Sequence, residues 1–549
     1  NQSEARIVNC IFSGNESTGG NCDWGKASTA KDADLPNVFL NCLFDGSDIG
    51  GTNCKVGDPN FNNPGEGDYT LTSGSDLARE NGLAKWKGIG DQVTFALTAD
   101  DKDLAENPRI MGDKIDMGAY EYDPNQFAVA FSSDVVSGSS EMSYQLTSEV
   151  AGASGPVEYA WTFLNLKTGT EAYSTDANPL FQPTEVGVYT VSLTVSDGVH
   201  QPLTVTKNSY ISALSVICYV DPDSETPAYP YNTQATAAKT IPEAYDACAD
   251  GGEVVLAKKT IKFASTLNVE RPLAIRGEGE RAETILQVTG GGISAVRVNH
   301  SQAVLRNLTI TGASGLPENA GALNFGDKGG LVTNCVVRNN ACNTGAYCGP
   351  GGVYMAGGRI TGSLITGNTG GSSARGVAMR LENSNALVDH CLIATNVNPF
   401  GVYGIILANA GTMDNCVIAD NGCTGGNTAG LYVSGSVTIR NCTITKNDCG
   451  SGNAGGLYWT QATGARFVNC IISGNSSSAG KSDWVKSGDG QDASLPDVFQ
   501  HCLFGNDPVG TMPQSGDPAF RNAALGDYSL TSASAARGNG TTALGIGET

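Results

Sequence analysis

Short apolar runs separated by polar turns recur along this chain. Beyond residue 304, "NCVVRNN", "GSLITGN", "HCLIATN", "NCVIADN", "NCTITKN" and "NCIISGN" each place Val, Ile, Leu or Thr at neighbouring positions and close on asparagine. β-Branched residues in runs this short, bounded by Gly, Asn, Ser and Asp, predict strands and turns. Helix-period patterning is almost absent. The second position of each run falls at residues 335, 363, 391, 416, 442 and 470, in steps of 28, 28, 25, 26 and 28. A period of that size predicts a solenoid. Each unit also carries a glycine-led strand upstream ("GGVYM", "GLYVS", "GGLYW"), while "RNLTITG" fits an earlier turn and "QHCLFGN" a later one. Such units cannot bury a core singly. Stacked at roughly 4.8 Å per rung, they predict parallel sheets around an apolar interior, a right-handed parallel β-helix.

Rungs in register stack like on like. Cys335, Cys391, Cys416, Cys442 and Cys470 are expected to form an inward ladder of small, buried thiols, continuing at Cys502. Asn340, Asn368, Asn396, Asn421, Asn447 and Asn475 form a second ladder, with Asn15 at the equivalent place near the start. Asparagine tolerates the left-handed backbone of a tight bend, and its amide bonds to the same group one rung away. The asparagines are therefore expected to occupy the bends. The sequons at Asn15 and Asn475 fall on this ladder, where occupied amides argue against glycosylation.

Five of these runs share one further property. Val336-Val337, Leu364-Ile365, Leu392-Ile393, Val417-Ile418 and Ile471-Ile472 are apolar at both positions, although successive strand residues face opposite sides. One stripe must point outward, towards a lateral partner or beneath the longer loops.

A longer repeat overlies the short one. "ARIVNCIFSGN" at 5–15 returns as "ARFVNCIISGN" at 465–475, and the match continues through "DLPNVFLNCLF" against "SLPDVFQHCLF" and "GDYTLTS" against "GDYSLTS". The expected organisation is the C-terminal part of one β-helix (1–125), a β-sandwich (126–213) and a second β-helix (214–549) with an N-terminal cap at about 235–290 and an unfinished end. Either covalent continuation or end-to-end assembly is expected, because open sheet edges invite pairing.

The 16 cysteines divide evenly between the ladder and other positions. Cys423 and Cys449 each lie seven residues past a ladder cysteine on adjacent rungs, one strand spacing apart and within disulfide range. Cys342 and Cys348 form a local pair, and Cys218 with Cys248 would tie the opening strand to the cap. Cys22 and Cys54 align with Ser482 and Gln514 in the second copy, so both are absent together, which predicts a Cys22–Cys54 bridge. No spacing suggests zinc.

The segment 126–213 includes "VEYAWTF", "GVYTVSLTVSDG" and "LTVTKNSYIS", alternating strands with turns about every ten residues. It resembles a PKD-type immunoglobulin-like domain, which implies Trp161 as the core tryptophan. Leu164-Asn165-Leu166 replaces the Gly-Asp-Gly usual after that strand, so ligand roles attached to the turn do not carry over. "DLAENPRIMGDKIDMGAYEYDP" and "TIPEAYDACADGGEVVLAKKTIKFASTLNVERPLAIRGEGE" resemble the terminal and N-terminal motifs of secreted bacterial right-handed β-helix proteins of the pectin-lyase-like superfamily. That superfamily includes lyases, hydrolases, epimerases, adhesins and tail spikes, so it implies a fold more than an activity.

Charge narrows the partners. A net charge of -22 with 33 basic residues and no basic cluster leaves nowhere to neutralise phosphates, which excludes nucleic acid. No apolar run approaches the ~18 residues of a membrane span.

Enzymes of the superfamily act on acidic polysaccharides through carboxylates or bound calcium, with Arg, Lys or His on one outer sheet. Two residues before the ladder position stand Thr333, Thr361, Asp389, Asp414, Arg440 and Val468. Asp389, Asp414 and Arg440 would stack as neighbours, with His390 and Glu382 nearby. Two carboxylates a rung apart beside a guanidinium suit a calcium site at Asp389 and Asp414, or an acid/base pair. The alternative is an ion-pair ladder that cancels repulsion between the acids. The acidic loops "DDKDLAEN" and "DPDSE" are further calcium candidates without a recognised calcium pattern. Apart from calcium, no cofactor is expected. Together these features favour an extracellular or cell-surface structural or adhesive protein of tandem modules of about 460 residues, whose partners are neighbouring modules or subunits and cell-surface glycans. A secreted polysaccharide lyase, hydrolase or binding protein is the alternative.

Overall fold

The computed structural model describes residues 6–15, 38–45, 51–72, 74–87, 94–110, 114–123, 127–342, 348–371, 374–460, 464–478, 483–487 and 495–542. The fold is all-β, its longest described helix being Ile241–Ala247. The chain divides into two compact units, the second holding residues 212–549 together with the short segments 137–142 and 182–187. A single strand, Leu203–Val220, runs through residue 213.

The second unit is a parallel β-solenoid of about eight turns. Each turn gives three short strands to three parallel sheets. Val353–Met355, Arg359–Thr361 and Leu364–Thr366 follow one another within a turn and pair with Met379–Leu381, Leu387–Asp389 and Leu392–Ala394 on the next. Register is kept from rung to rung: Ile365, Ile393, Ile418, Ile444 and Ile472 stack at one position, all with no exposed surface. The preceding residue of each pair faces outward, and Leu364, Leu392 and Val417 there are half-buried. Ile241, Ala244 and Ala247 of the helix join the same core, and Thr240 with Glu243 forms its capping box.

The asparagine ladder is continuous. Each side-chain amide donates to the Oδ1 of the next rung: Asn340 to Asn368 (3.0 Å), Asn368 to Asn396 (2.9 Å), Asn396 to Asn421 (3.0 Å), Asn421 to Asn447 (2.9 Å) and Asn447 to Asn475 (2.9 Å). Asn475 donates to Asp483 Oδ1 at 3.1 Å, so a buried carboxylate ends the run. The second amide hydrogen goes to a carbonyl of the rung behind, as from Asn368 to Val337 O at 3.0 Å. Every ladder amide is thus satisfied without water. Asn15 is exposed.

The bends themselves lie one residue earlier than the sequence suggests. Positive φ occurs at Asn339 (54°), Thr395 (56°), Asp420 (54°) and Lys446 (56°), just before the ladder asparagines. It occurs again at Asn334, His390, Asn415, Asn441 and Asn469, just before the ladder cysteines. Each rung therefore turns twice through left-handed backbone. The ladder asparagines are selected for their amides, since the left-handed residue must point outward and cannot reach the stack.

In the first unit, residues 127–136, 143–181 and 188–211 form antiparallel strands. Glu158–Asn165 pairs with Glu171–Ser174 and with the strand that ends at Ser196, while Ala128–Ser133 pairs with Tyr144–Ala151. Trp161, Phe131, Phe163, Phe181 and Tyr189 form its aromatic core, with Phe163 and Phe181 stacked at 4.0 Å. Earlier in the chain, Ile11–Phe12, Leu43–Phe44 and Lys55–Val56 pair in parallel. Ile471–Ile472, Leu503–Phe504 and Gln514–Ser515 pair the same way. Gln514 therefore matches Lys55, and the counterpart of Cys54 is Pro513 rather than Gln514. The connection before this strand is one residue shorter in the second copy, which shifts the alignment. Cys22 lies outside the described residues.

Candidate functional site

The outward row of the middle sheet carries the charged ladder. Thr333, Thr361, Asp389, Asp414, Arg440 and Val468 are successive partners in the parallel register. Asp389 and Asp414 are thus one rung apart, but they turn away from each other. Arg359 grips Asp389 with Nε to Oδ1 at 2.9 Å and Nη2 to Oδ2 at 2.7 Å. Thr361 Oγ1 donates to Asp389 Oδ2 at 3.0 Å, and His390 Nδ1 lies 3.0 Å from the same oxygen. On the other side, Arg440 Nε donates to Asp414 Oδ2 at 3.0 Å and Asn441 Nδ2 to Oδ1 at 2.9 Å.

These contacts set the chemistry. The Arg359 guanidinium holds the buried Asp389 carboxyl down at about 2, so it is an anion at any ordinary pH and a poor proton acceptor. Glu382 is drawn elsewhere, to Arg380 and to Asn409 Nδ2 at 2.9 Å. Among the described residues, no group of three or more His, Cys, Asp and Glu side chains is placed to hold a metal ion. The acidic loops are also self-paired. Asp221 and Asp223 share Lys259 at 2.6 and 3.0 Å, and Asp103 accepts from the backbone amides of Ala105, Asn107 and Glu121.

The ladder cysteines are inward and buried, and burial pushes the Cys335 thiol up to about 12. Off the ladder, Cys423 and Cys449 bring their sulfurs to 2.8 Å and Cys342 and Cys348 to 2.7 Å. Cys218 and Cys248 are both fully buried; Cys218 Sγ donates to Pro230 O at 3.3 Å, and the neighbouring Cys248 thiol, together with burial, raises the Cys218 thiol. Cys54 is half-buried.

Three features escape the sequence pattern. Arg359 belongs to the charged site although its own position gives no periodic signal. On the glycine-led sheet, Tyr354, Arg380, Leu407, Tyr432 and Tyr458 occupy one outward row, with Tyr432 and Tyr458 stacked at 5.2 Å and 4°. In the first unit, an apolar groove of about 600 Å³ lined by Phe61, Tyr69, Leu71, Trp86 and Tyr120 lies beside Arg109. Arg109 there serves Gly118 O at 2.5 Å and Glu121 at 3.4 Å, and burial pushes the Glu121 carboxyl up to about 8.

Residues 294–472 match the family described as the right handed beta helix region. Among solved structures, the chain is similar to ORF18 of Geobacillus virus E2, at 12% identity over 60% of this chain and 71% of that one, with a TM-score of 0.30. It is also similar to a mannuronic acid specific polysaccharide family 6 lyase from human gut microbiota, at 14% identity over 47% of this chain and 82% of that one, with a TM-score of 0.22. No curated protein matches.

Proposed function

We propose that this chain is an extracellular structural or adhesive protein built from tandem modules of about 460 residues, in which β-helices alternate with PKD-type sandwiches. One observation carries the reading. The carboxylates of the outer ladder are spent on their own cations, Asp389 on Arg359 and Asp414 on Arg440, which suits a brace between rungs better than an acid/base pair. Its partners are neighbouring modules or subunits. The alternative, a polysaccharide-degrading or carbohydrate-binding protein, draws support from Tyr354, Tyr432 and Tyr458 in one outward row, whose aromatic faces suit stacking against sugar rings.

Incubation with uronate polysaccharides separates the two. The structural reading expects no chain shortening and no new unsaturated ends, and shortening that Asp389→Asn abolishes would replace it with the enzyme. Calcium tests the cation version of the site: the brace expects no calcium-dependent rise in Tm, whereas a rise lost in an Asp389→Ala, Asp414→Ala double variant would establish a metal site.

The thiol pairs Cys423–Cys449, Cys342–Cys348 and Cys218–Cys248 are assigned as disulfides in an oxidising compartment, each formed by loss of two protons and two electrons to a disulfide oxidant. Intact mass of native protein is expected to rise by two hydrogens per bridge on reduction. An unchanged mass would remove the assignment and the support it lends to an extracellular location.

A further inference from the structure

The end region occurs twice, and its two copies differ in side chain at one outward position of the third sheet. Asp45 N donates to Phe12 O (3.1 Å) and Gly505 N to Ile472 O (3.2 Å), so Asp45 and Gly505 hold the same place, each one rung beyond a serine, Ser13 or Ser473. In the first copy the Asp45 carboxylate fills that place. Ser13 Oγ donates to its Oδ2 at 2.9 Å, and Gly14 N lies 3.4 Å from the same oxygen. In the second copy Gly505 has no side chain to offer.

A pocket of about 570 Å³ opens there, all of its lining within the second unit. Its floor is the row Thr445, Ser473, Gly505 and Gly516, which follows the paired Ile444, Ile472, Phe504 and Ser515 on four rungs. Two hydroxyls are thus succeeded by two bare glycines. Thr445 and Ser473 are only 3% and 5% exposed, yet neither hydroxyl has a hydrogen-bond partner among the described residues. Hydroxyls buried to this degree are normally paired. The serine that Asp45 satisfies in the first copy is left open in the second.

The remaining lining decides what could pair with them. A Cβ at Gly505 would lie 2.5 Å from Asp483 Oδ2 and 2.8 Å from Ser473 Oγ, so these two polar atoms converge on the space that glycine keeps clear. Asp483, 3% exposed, accepts from Asn475 N (3.0 Å), Asn475 Nδ2 (3.1 Å) and Asn506 N (3.2 Å). Lys446 Nζ is held by Asp420 at 2.7 Å. With its cation engaged and Asp483 and Asp517 in the lining, the pocket repels an anion. Among the described residues no group is placed to hold a metal ion. Hydroxyl chemistry beside the Phe520 ring is what remains.

We propose that this pocket binds a neutral, hydroxyl-rich ligand, a single sugar ring. Its hydroxyls exchange hydrogen bonds with Thr445 Oγ1 and Ser473 Oγ and donate to the Asp483 carboxylate, while its C–H face lies against Phe520. The volume is within the range of roughly 300–1,000 Å³ usual for small-ligand pockets. A free sugar and the end of a glycan chain share this chemistry. The site is separate from the tyrosine row, which lies on the glycine-led sheet. It also goes beyond the structural reading above, which survives its failure, because the brace at Asp389 and Asp414 lies on the middle sheet.

The test titrates glucose, galactose, mannose and N-acetylglucosamine into the full chain by saturation-transfer NMR and calorimetry, with galacturonate and calcium in parallel. One neutral sugar is expected to saturate a single site. Ser473→Ala combined with Thr445→Val is expected to weaken it by about tenfold or more and to leave Tm unchanged, since these hydroxyls bond nothing in the free protein. Gly505→Asp, which restores the carboxylate of the first copy, is expected to abolish binding. Tighter binding of a trisaccharide than of its monosaccharide would assign a glycan end, and the reverse a free sugar. Absence of neutral-sugar binding, binding indifferent to the double variant, or galacturonate or calcium bound in place of the neutral sugar would overturn the proposal. A lower Tm in the double variant without sugar would overturn it too, by showing that the hydroxyls serve the fold.

Discussion

The two copies of the end region carry one backbone under different side chains. Left-handed residues pair off between them: Asn9 (57°) with Asn469 (56°), Asn41 (51°) with His501 (52°), Asn53 (53°) with Met512 (50°) and Asn60 (51°) with Ala519 (46°). Each copy continues into a single 3-10 turn, Pro64–Glu66 or Ala523–Leu525, closed by a left-handed glycine at 67 or 526. Asparagine enters this conformation readily, but Met and Ala do so at about 1–2 kcal/mol. Rung pairing on either side therefore dictates the bend, and local preference only eases it. Where the copies part is burial. Leu71 and Ala78 are covered by Met117, whereas Leu530 and Ala536 remain partly open.

The sharpest way to break this comparison is through the asparagine ladder. Asn475 is buried and accepts from both the amide and the side chain of Asn447, whereas Asn15 is exposed. Asn475→Ala strands several buried polar groups, each costing about 1–3 kcal/mol, and is expected to lower the denaturation midpoint far more than Asn15→Ala. Equal effects would show that the ladder contributes little. Next, Leu71→Ala is expected to destabilise its copy by about 2–4 kcal/mol and Leu530→Ala by less than about 1 kcal/mol, read from denaturant dependence of exchange at Leu83 and Thr541.

A pH effect should follow, confined to the first copy. Glu121 accepts from Asp116 N at 3.0 Å and faces Arg109, Asp103 and Asp116; burial, chiefly, raises its carboxyl to about 8. The folded state then holds a proton that the unfolded state has released. Stability from this group is full below about pH 4 and declines as pH rises towards 8. Exchange at Met117 and Gly118 should accelerate over that window and stay flat in Glu121→Gln. Asp389 has the opposite sign: with its folded value near 2, its contribution is present above about pH 4 and is lost as pH falls towards 2. The smallest effect expected is a gain of about 1 kcal/mol from Met512→Asn, mirrored by a loss in Asn53→Met, both measured by Tm.

Much of this architecture is legible in the sequence because a solenoid converts period into contact. Once the steps near 28 residues are aligned, Asp389, Asp414 and Arg440 are neighbours by arithmetic, and the stacked isoleucines follow. Reach across rungs is not periodic. Arg359 lies two positions before Thr361 and comes diagonally to Asp389, so the residue that neutralises the candidate site leaves no mark in the repeat. The bend positions were displaced by one residue because asparagine serves both a bend and an amide stack, and composition cannot tell the two uses apart. Asp483, which ends the ladder, stands where no ladder position is expected. Residues 114–123 read in the sequence only as part of a terminal motif, since their meaning lies in what Met117 and Gly118 cover.

The central claim is that the two copies share one backbone frame, and amide hydrogen exchange tests it most directly. Leu83 and Thr541, held by Asn9 and Asn469 at 2.7 and 2.9 Å, are expected to be comparably protected. Protection of Leu83 without protection of Thr541, or the reverse, would contradict the account.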